Sequence, residues 1–261
     1  MSEDEILLTH ILQCKPIDLL LHKPVLTAAQ QEQFDAYKHR RALGEPLQYI
    51  LGSWDFMGLA LNVNPSVLVP RPETEQMVES AINLLKRGHM NVSPFVKVLD
   101  LGTGSGCIAI ALAKFCSHVQ VTTVDISKAA LDLAQANAKK HGVDGRIAFV
   151  QADMFKTFPI FVSFDMIISN PPYVPSDEMA HLPQDVQQEP ALALDGGRDG
   201  LDFYRAIIKY TPDLLRPGGY LMMEFGDGQE QAILSLFDTH FKVDVFEDLA
   251  GRPRFLTAQF E

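Results

Sequence analysis

The chain has 261 residues, a formal net charge of −11 at pH 7, and hydrophobic side chains at 47% of its positions. This length predicts one main domain with a small appendage. The acidic balance and the lack of a basic stripe argue against a protein that grips bare nucleic acid, because phosphate contacts dominate that affinity. The sequence has no apolar run of roughly eighteen residues, and its N-terminus is acidic, unlike a signal peptide. We therefore expect a cytoplasmic protein that enters no membrane.

The N-terminal 45 residues are predicted to be helical, because their apolar residues recur near helical spacing. Thr27 and Gln30 have the spacing of a capping box. Residues 46–70 alternate apolar and polar positions around two glycines, which predicts a β-hairpin linker. Pro72 is predicted to start a helix. The sequence therefore divides into a helical domain (1–45), a linker (46–70) and a main domain (71–261).

From residue 95 onward, apolar strands alternate with helices. The predicted strands are 96–101, 119–125, 147–153, 164–169, 219–226, 241–248 and 254–260. The predicted helices are 106–116, 127–141, 201–215 and 228–238. This alternation predicts a doubly wound α/β sheet, because each parallel strand needs a crossover to return. The last two strands leave no room for a helix and predict an antiparallel pair at one end.

The first candidate site is a glycine turn between a buried strand and a helix. Gly102, Gly104 and Gly106 permit a tight turn and the close approach of a ligand. Asp125 ends the next strand, where a carboxylate can accept both hydroxyls of a ribose. A dinucleotide fingerprint would place its third glycine where Cys107 stands, so a nicotinamide cofactor is disfavoured. The pattern leaves open whether S-adenosylmethionine, another nucleoside cofactor or no ligand binds here.

The second candidate site is the turn after the fourth strand, Asn170-Pro171-Pro172-Tyr173. Parallel sheets bind ligands at the carboxyl ends of their strands, so this turn should face the same crevice. Asn170 offers an amide oxygen as acceptor, the proline turn presents carbonyl oxygens rigidly, and Tyr173 offers a flat ring. Together they predict a clamp for a planar –NH2 group, as in an N-methyltransferase. The alternative is an ordinary proline turn.

This Asn-Pro-Pro-Tyr turn resembles several families that methylate exocyclic or amide nitrogens, in nucleic acids or proteins. The stretches RRALGEPLQYILGSWDFMGLALNV, VLVPRPETEQMVE and EPALALDGGRDGLDFYR resemble the HemK/PrmC family of protein-(glutamine-N5) methyltransferases over nearly the whole chain. The resemblance implies a Rossmann-like class I S-adenosylmethionine-dependent methyltransferase sheet behind a small helical substrate-recognition domain. It also implies methylation of the glutamine in the Gly-Gly-Gln motif of class I peptide chain release factors, which modulates translation termination.

The resemblance further implies roles for single residues. The methionine end of S-adenosylmethionine, which becomes S-adenosylhomocysteine, would contact Gly102, Thr103, Gly104, Ser105 and Gly106. Asp125 would hold the ribose, and Asp153 and Met154 would border the adenine, where members of the family often have an aromatic residue. Asn170 would contribute to both the cofactor site and the substrate site.

The catalytic and substrate-binding group implied by the resemblance is Asn170, Pro171, Pro172 and Tyr173. Asn170 and the carbonyl of Pro171 would accept from the substrate amide, with Tyr173 packing beside it. Two other family-typical segments, Arg71–Glu75 and Glu189–Gly200, are either a helix cap and a surface loop or parts of the binding site. The family usually has a further amphipathic helix ahead of the first residue of this sequence, which predicts either a reduced N-terminal partner surface or a start codon that lies upstream.

The expected partner is therefore a class I release factor. We also expect that the enzyme is a monomer and makes no direct contact with nucleic acid. The main alternative is a nucleic-acid methyltransferase that uses the same clamp on adenine N6 or guanine N2. A non-catalytic binding module and a hydride-transfer enzyme are weaker alternatives. Cys14, Cys107 and Cys116 lack the spacing of a disulfide framework or a zinc site, so we expect reduced thiols and no metal.

Overall fold

A computed structural model describes residues 1–21, 24–86, 95–156, 162–248 and 250–261. The N-terminal part consists of helices α1 (Glu3–Leu12), α2 (Pro16–Leu21), α3 (Ala28–Ala42) and α4 (Leu47–Leu51). The predicted capping box is present at the start of α3. The backbone N–H of Gln30 donates to Thr27 Oγ1, and the Gln30 side chain accepts from the Thr27 backbone. Residues 22 and 23, within the segment predicted to be helical, lie outside the described residues.

The chain after Pro46 differs from the sequence expectation, because α4 is a helix where we predicted the start of a hairpin. Leu47 and Ile50 are three residues apart and pack together with Leu7 of α1. Burying this helical face against α1 outweighs the strand-like alternation of the segment. A hairpin does follow, formed by β1 (Ser53–Phe56) and β2 (Leu59–Asn62), which pair in antiparallel fashion.

The main sheet contains seven strands within the described ranges and confirms the predicted fold class. They are β3 (Val96–Leu101), β4 (Val119–Asp125), β5 (Ile147–Gln151), β6 (Phe164–Ser169), β7 (Leu215–Glu224), β8 (Phe241–Glu247) and β9 (Pro253–Phe260). Their order is β5-β4-β3-β6-β7-β9-β8. The first five are parallel, and β9 pairs with β7 and β8 in antiparallel fashion, as predicted for the end of the sheet.

Helices cover both faces of this sheet. They are α5 (Pro72–Lys86), α6 (Cys107–Phe115), α7 (Lys128–Lys140), α8 (Asp202–Leu214) and α9 (Glu230–Leu234), with short 3₁₀ turns at Asp144–Arg146, Met179–His181, Val186–Gln188 and Ala191–Ala193. Alternate strand residues point to opposite faces. Val98 and Met166 thus join the core with α5, α6 and α7, while Leu99 and Ile167 join the core with α8 and α9. Within the ranges that the structure describes, no helix is long and apolar enough to cross a membrane.

Three elements differ from their predicted bounds by two residues or more. Strand β5 ends at Gln151, so Asp153 lies in the following turn, where its carboxylate accepts from the Phe155 backbone N–H (2.9 Å) and favours the turn. Strand β7 starts at Leu215, four residues before the predicted start, because Leu215 already pairs with Phe164 ahead of a bulge. Helix α9 is shorter than predicted.

The sheet order arranges the candidate residues along one edge. At the carboxyl ends of β5, β4, β3, β6 and β7 lie, in this order, Asp153, Asp125, Gly102, Asn170 and Glu224. The chain order reverses between β3 and β6, and crevices at such switch points are where open α/β sheets bind ligands.

Candidate active site

A cavity of about 370 Å³ opens at this edge, on both sides of the switch point. Its volume lies in the range of small-molecule sites, roughly 300–1,000 Å³. Six stretches of chain form its wall: those that follow β2, β3, β4, β5 and β6, and the loop before α8. The cavity therefore combines residues from both sequence-predicted sites in one place.

The glycine turn after β3 presents bare backbone to the cavity. Gly102 and Gly104 have φ values of +72° and +53°, which favour glycine. A Cβ added to either would meet no atom within 4 Å, so both open onto free space. Gly106 serves a different purpose, because its Cβ would lie 3.0 Å from Ala134 in α7. Among the described residues, Gly102, Thr103, Gly104 and Ser105 line the cavity, whereas Gly106 allows α6 to pack closely against α7.

Asp125 ends β4 and lines the cavity beside this turn. Its Oδ2 accepts from the backbone N–H of Gly104 and its Oδ1 accepts from that of Ser127, both at 2.9 Å. Burial raises the pKa of Asp125, and these backbone donors oppose that rise. Each carboxylate oxygen has a second lone pair. Asp125 is therefore fixed in place and retains one acceptor site on each oxygen.

Asp153 and Met154 line the cavity at its β5 end, together with three apolar residues that sequence reasoning missed. The missed residues are Ile126, Phe155 and Phe203. The rings of Phe155 and Phe203 meet edge to face with centroids 4.8 Å apart. Ile126 and Phe155 each directly follow a predicted site residue, a signal that we did not use. This end of the cavity therefore offers apolar surface for a planar group.

Asn170 lies in the cavity wall after β6, and hydrogen bonds to neighbouring side chains fix its position. Its Nδ2 donates to Thr74 Oγ1 (3.0 Å), and Thr74 Oγ1 donates to Glu224 Oε2 (2.6 Å). Sequence reasoning missed Glu224, whereas Thr74 lies in the segment Arg71–Glu75 that it named as a possible part of the site. The signal for Glu224 was an acidic residue at the end of an apolar strand, as at Asp125.

The rest of the Asn-Pro-Pro-Tyr turn divides between cavity and core. Pro172 lines the cavity, whereas Pro171 and Tyr173 are not among its lining residues in the described chain. The Tyr173 ring packs against the core beneath α8 and lies close to Gly226. Its carbonyl accepts from Gln229 Nε2 (2.8 Å). Burial raises the pKa of Tyr173 to about 12, so its hydroxyl stays neutral at physiological pH.

The two segments named as possible parts of the binding site are joined directly at the cavity. Glu189 forms an ion pair with Arg71, and its second oxygen accepts from the backbone N–H of Val69 (2.9 Å). Glu189 is 5% exposed. Arg71 and Thr74 from one segment and Pro190, Leu192 and Ala193 from the other line the cavity. Arg71–Glu75 and Glu189–Gly200 thus form one connected wall.

The second of these segments is also bonded to the Asn-Pro-Pro-Tyr turn. Val174 N–H donates to Leu194 O (2.9 Å), and Gly196 N–H donates to Val174 O (2.8 Å). Gly196 leaves no room for a side chain, because a Cβ there would lie 2.8 Å from Pro172 O. The position of the Asn-Pro-Pro-Tyr turn therefore depends on the segment Glu189–Gly200.

Removing the charge of Glu189 is expected to destabilise the fold. In Glu189→Gln, the half-buried Arg71 loses its carboxylate partner, which costs about 1–3 kcal/mol for a charged hydrogen bond. Urea unfolding measures this loss. Asp4→Asn is the control, because Asp4 and its partner Lys38 are about half exposed and such pairs contribute at most about 1 kcal/mol. Equal stability of Glu189→Gln and the unmodified protein would contradict the structural role of the pair.

Cys107 lines the cavity but has no sign of a reactive thiol. Burial raises its pKa to about 12, so the thiolate is scarce at physiological pH. Within the described ranges, no group of three or more His, Cys, Asp or Glu residues could hold a metal ion.

The chain matches two known protein families. Residues 2–52 match the PrmC N-terminal domain, and residues 75–197 match the methyltransferase small domain. A release factor glutamine methyltransferase from Geobacter sulfurreducens is 46% identical over 79% of this chain and 70% of its own length. The protein of the same name from Nitratidesulfovibrio vulgaris is 40% identical over 98% of this chain and 86% of its own length.

Solved structures share the fold at lower identity. A methyltransferase from Pyrococcus furiosus has a TM-score of 0.56 and 18% identity, over 90% of this chain and 98% of its own. This likeness concerns the fold alone, whereas the similarity to the curated relatives extends over most of the sequence. The protein is a methyltransferase and belongs to the family of release factor glutamine methyltransferases.

Proposed function

We propose that this protein transfers a methyl group from S-adenosylmethionine to the side-chain amide nitrogen of the glutamine in the Gly-Gly-Gln motif of class I peptide chain release factors. The observation that carries the proposal is the position of Asn170. It lies in the cavity wall, its Nδ2 donates to Thr74 Oγ1, and none of the described residues donates to its Oδ1, which can therefore accept a hydrogen bond. An acceptor at this point suits a substrate –NH2 group, which donates.

The cavity fits S-adenosylmethionine. The open faces of Gly102 and Gly104 give an amino-acid tail room to approach the backbone. Asp125 retains one acceptor site on each oxygen, which matches the two hydroxyls of a ribose. Ile126, Met154 and Phe155 offer apolar contact to a purine, and a methionine side chain packs well on an aromatic ring. When bound, this cofactor supplies an electrophilic methyl group and keeps the carbon–sulfur bonding pair, leaving as S-adenosylhomocysteine.

The residues of the turn would act on the glutamine amide by positioning and by electrostatics. An amide nitrogen is a poor nucleophile, because its lone pair is delocalised into the carbonyl. Asn170 Oδ1, which lines the cavity, would accept one of its hydrogens and orient it toward the methyl group. The resemblance implies the Pro171 carbonyl as the second acceptor, although Pro171 is not among the described residues that line the cavity. These acceptors also stabilise the positive charge that develops as the nitrogen gains a methyl group. The nitrogen then loses one proton, so no strong base is required before the attack.

The proposed domains are a helical domain (1–45), a linker (46–70) and a methyltransferase domain (71–261). The helical domain is proposed to recognise the release factor. The helices contact the main domain through the segment that follows the catalytic turn. Arg41 of α3 pairs with Glu3 and with Asp185, and Gln184 donates to Leu43 O. A protein bound to these helices would therefore lie near the cavity. We further propose that the enzyme acts in the cytoplasm as a monomer and contacts no nucleic acid directly.

A methyl-transfer assay with matched acceptors tests the substrate class. Labelled S-adenosylmethionine is incubated with the enzyme and one of three acceptors: a release factor, the same factor with the Gly-Gly-Gln glutamine replaced by alanine, or bare RNA and DNA. We expect label on the native release factor alone. Label on the nucleic acid would support the alternative of an adenine or guanine methyltransferase and overturn the proposed substrate.

A further inference from the structure

Three side chains form a hydrogen-bond relay that runs from the cavity wall into the core. Thr74 is in the first turn of α5, Asn170 follows β6, and Glu224 ends β7. Thr74 Oγ1 lies 3.0 Å from Asn170 Nδ2 and 2.6 Å from Glu224 Oε2. Thr74 is 2% exposed and Glu224 is 3% exposed. A buried carboxyl group is costly, so its presence at this point calls for a role.

The relay has a direction that starts at the carboxylate. An ionised carboxylate only accepts, so the Thr74 hydroxyl must donate to Glu224 and keeps only its lone pairs for Asn170. Those lone pairs can accept a hydrogen bond only from the –NH2 group of Asn170, because its amide oxygen has no hydrogen to donate. Donation from this –NH2 group also polarises the amide and strengthens its oxygen as an acceptor. The charge on Glu224 therefore determines which end of Asn170 faces the cavity.

We infer that Glu224 and Thr74 are positioning residues that hold Asn170 with its oxygen, rather than its –NH2 group, toward the substrate amide. This inference rests on the proposed amide methylation at Asn170. An inverted Asn170 would bring its own donors against the donors of the substrate, and the substrate nitrogen would lose its orientation. Neither Glu224 nor Thr74 takes a proton from the substrate in this scheme.

Protonation of Glu224 removes the direction of the relay. A protonated Glu224 can donate to Thr74, which frees the Thr74 hydroxyl to donate to Asn170 Oδ1 and lets the amide invert. Burial raises the pKa of Glu224 to about 7, and the charge of Glu73 adds to this rise. Hydrogen bonds from Thr74 and Asn170 and the charge of Arg254 oppose it. Among the described residues, the charge of Glu224 also acts on Tyr173, Tyr204 and Cys107.

Substitution of Thr74 tests the relay at its centre. Thr74→Val removes the hydroxyl and keeps the shape, and it is expected to lower kcat on the order of 10-fold to 10²-fold, as misplacement of a reacting group does. The Kd for S-adenosylmethionine should change little, because valine keeps the shape that Thr74 presents to the cavity. Thr74→Ser keeps the hydroxyl and should restore kcat, which a purely structural role of the threonine methyl would not predict. Wild-type kcat in Thr74→Val, or equal loss in both variants, would overturn the inference.

The pH profile tests the carboxylate. The enzyme with an ionised Glu224 is the active form. The kcat of the unmodified enzyme should therefore be maximal above pH 7 and fall as the pH drops through about 7. Glu224→Gln cannot ionise and, like the protonated acid, can donate to Thr74, so its kcat should be low and should show no further fall as the pH drops through 7. Glu73→Gln should move the midpoint to lower pH. An unchanged midpoint in Glu224→Gln would overturn the inference and direct attention to Asp100, whose pKa burial also raises to about 7.

Nuclear magnetic resonance tests the relay without any substrate. The side-chain –NH2 signals of Asn170, identified by their loss in Asn170→Ala, should shift with a midpoint near pH 7 in the unmodified protein and not in Glu224→Gln. If the unmodified enzyme methylates no release factor, the proposed function fails while this titration still decides the relay. If the Asn170 signals do not shift with pH, or if they shift equally in Glu224→Gln, the inference about the relay is overturned.

Discussion

Replacing Asn170 by alanine is expected to lower methyl transfer to the release factor by about 10²-fold to 10³-fold, the usual effect of removing one preorganised group from a transition state. Alanine removes the oxygen proposed to hold the substrate amide and leaves the glycine turn and Asp125 untouched. The Kd for S-adenosylmethionine should therefore change little. Single-turnover rates measure the first effect, and calorimetric titration with the cofactor measures the second.

The neighbouring residue provides a matched control for this substitution. Ser169 is buried, and its hydroxyl donates to Leu101 O (2.8 Å) inside the sheet, away from the cavity wall. Ser169→Ala should cost about 1 kcal/mol of stability and keep the single-turnover rate. Unaltered turnover in Asn170→Ala would contradict the role given to the asparagine.

Replacing Asp125 by alanine is expected to weaken cofactor binding on the order of 10²-fold. Two hydrogen bonds to a charged group are lost, each worth about 1.5–3 kcal/mol, and part of this loss is offset by water that enters the site. The Gly104 and Ser127 backbone donors lose their partner as well, so the turn also becomes less ordered. Asp125→Asn keeps one acceptor oxygen and should bind with intermediate affinity.

Comparison of two ligands separates the ribose contact from the charge of Asp125. S-adenosylmethionine and S-adenosylhomocysteine share the ribose, but only the first carries a positive sulfur. If Asp125 binds the ribose, calorimetry should show the same fold loss for both ligands in Asp125→Ala. A loss confined to S-adenosylmethionine would indicate simple charge attraction, and an unchanged Kd for both would contradict the assignment.

The strands and most helices of the main domain could be predicted because their signals are local. A run such as Val96–Leu101 is apolar and bounded by a glycine turn, and the crossover rule then requires a helix. Leu47–Leu51 was misread because its helical face is defined by contact with Leu7, 40 residues earlier in the sequence. Short apolar segments are ambiguous until their packing partner is known.

The parts of the site that sequence reasoning missed depend on contacts between distant residues. Thr74 lies 96 residues from Asn170 and 150 from Glu224, and only the order of strands β6 and β7 brings them together. Pro72-Glu73-Thr74 reads in the sequence as a helix start, which it is, and nothing local indicates that the threonine turns toward Asn170. For Tyr173, the sequence gives the aromatic ring but not the side of the turn on which it packs.

The most direct measurement of the central claim is tandem mass spectrometry of a release factor after incubation with the enzyme and S-adenosylmethionine. The account predicts one added methyl group, assigned by the fragment ions to the side-chain amide of the glutamine in the Gly-Gly-Gln motif, and none when Asn170→Ala replaces the enzyme. A methyl group on another residue of the release factor, or an unmodified motif glutamine beside an active enzyme, would contradict it.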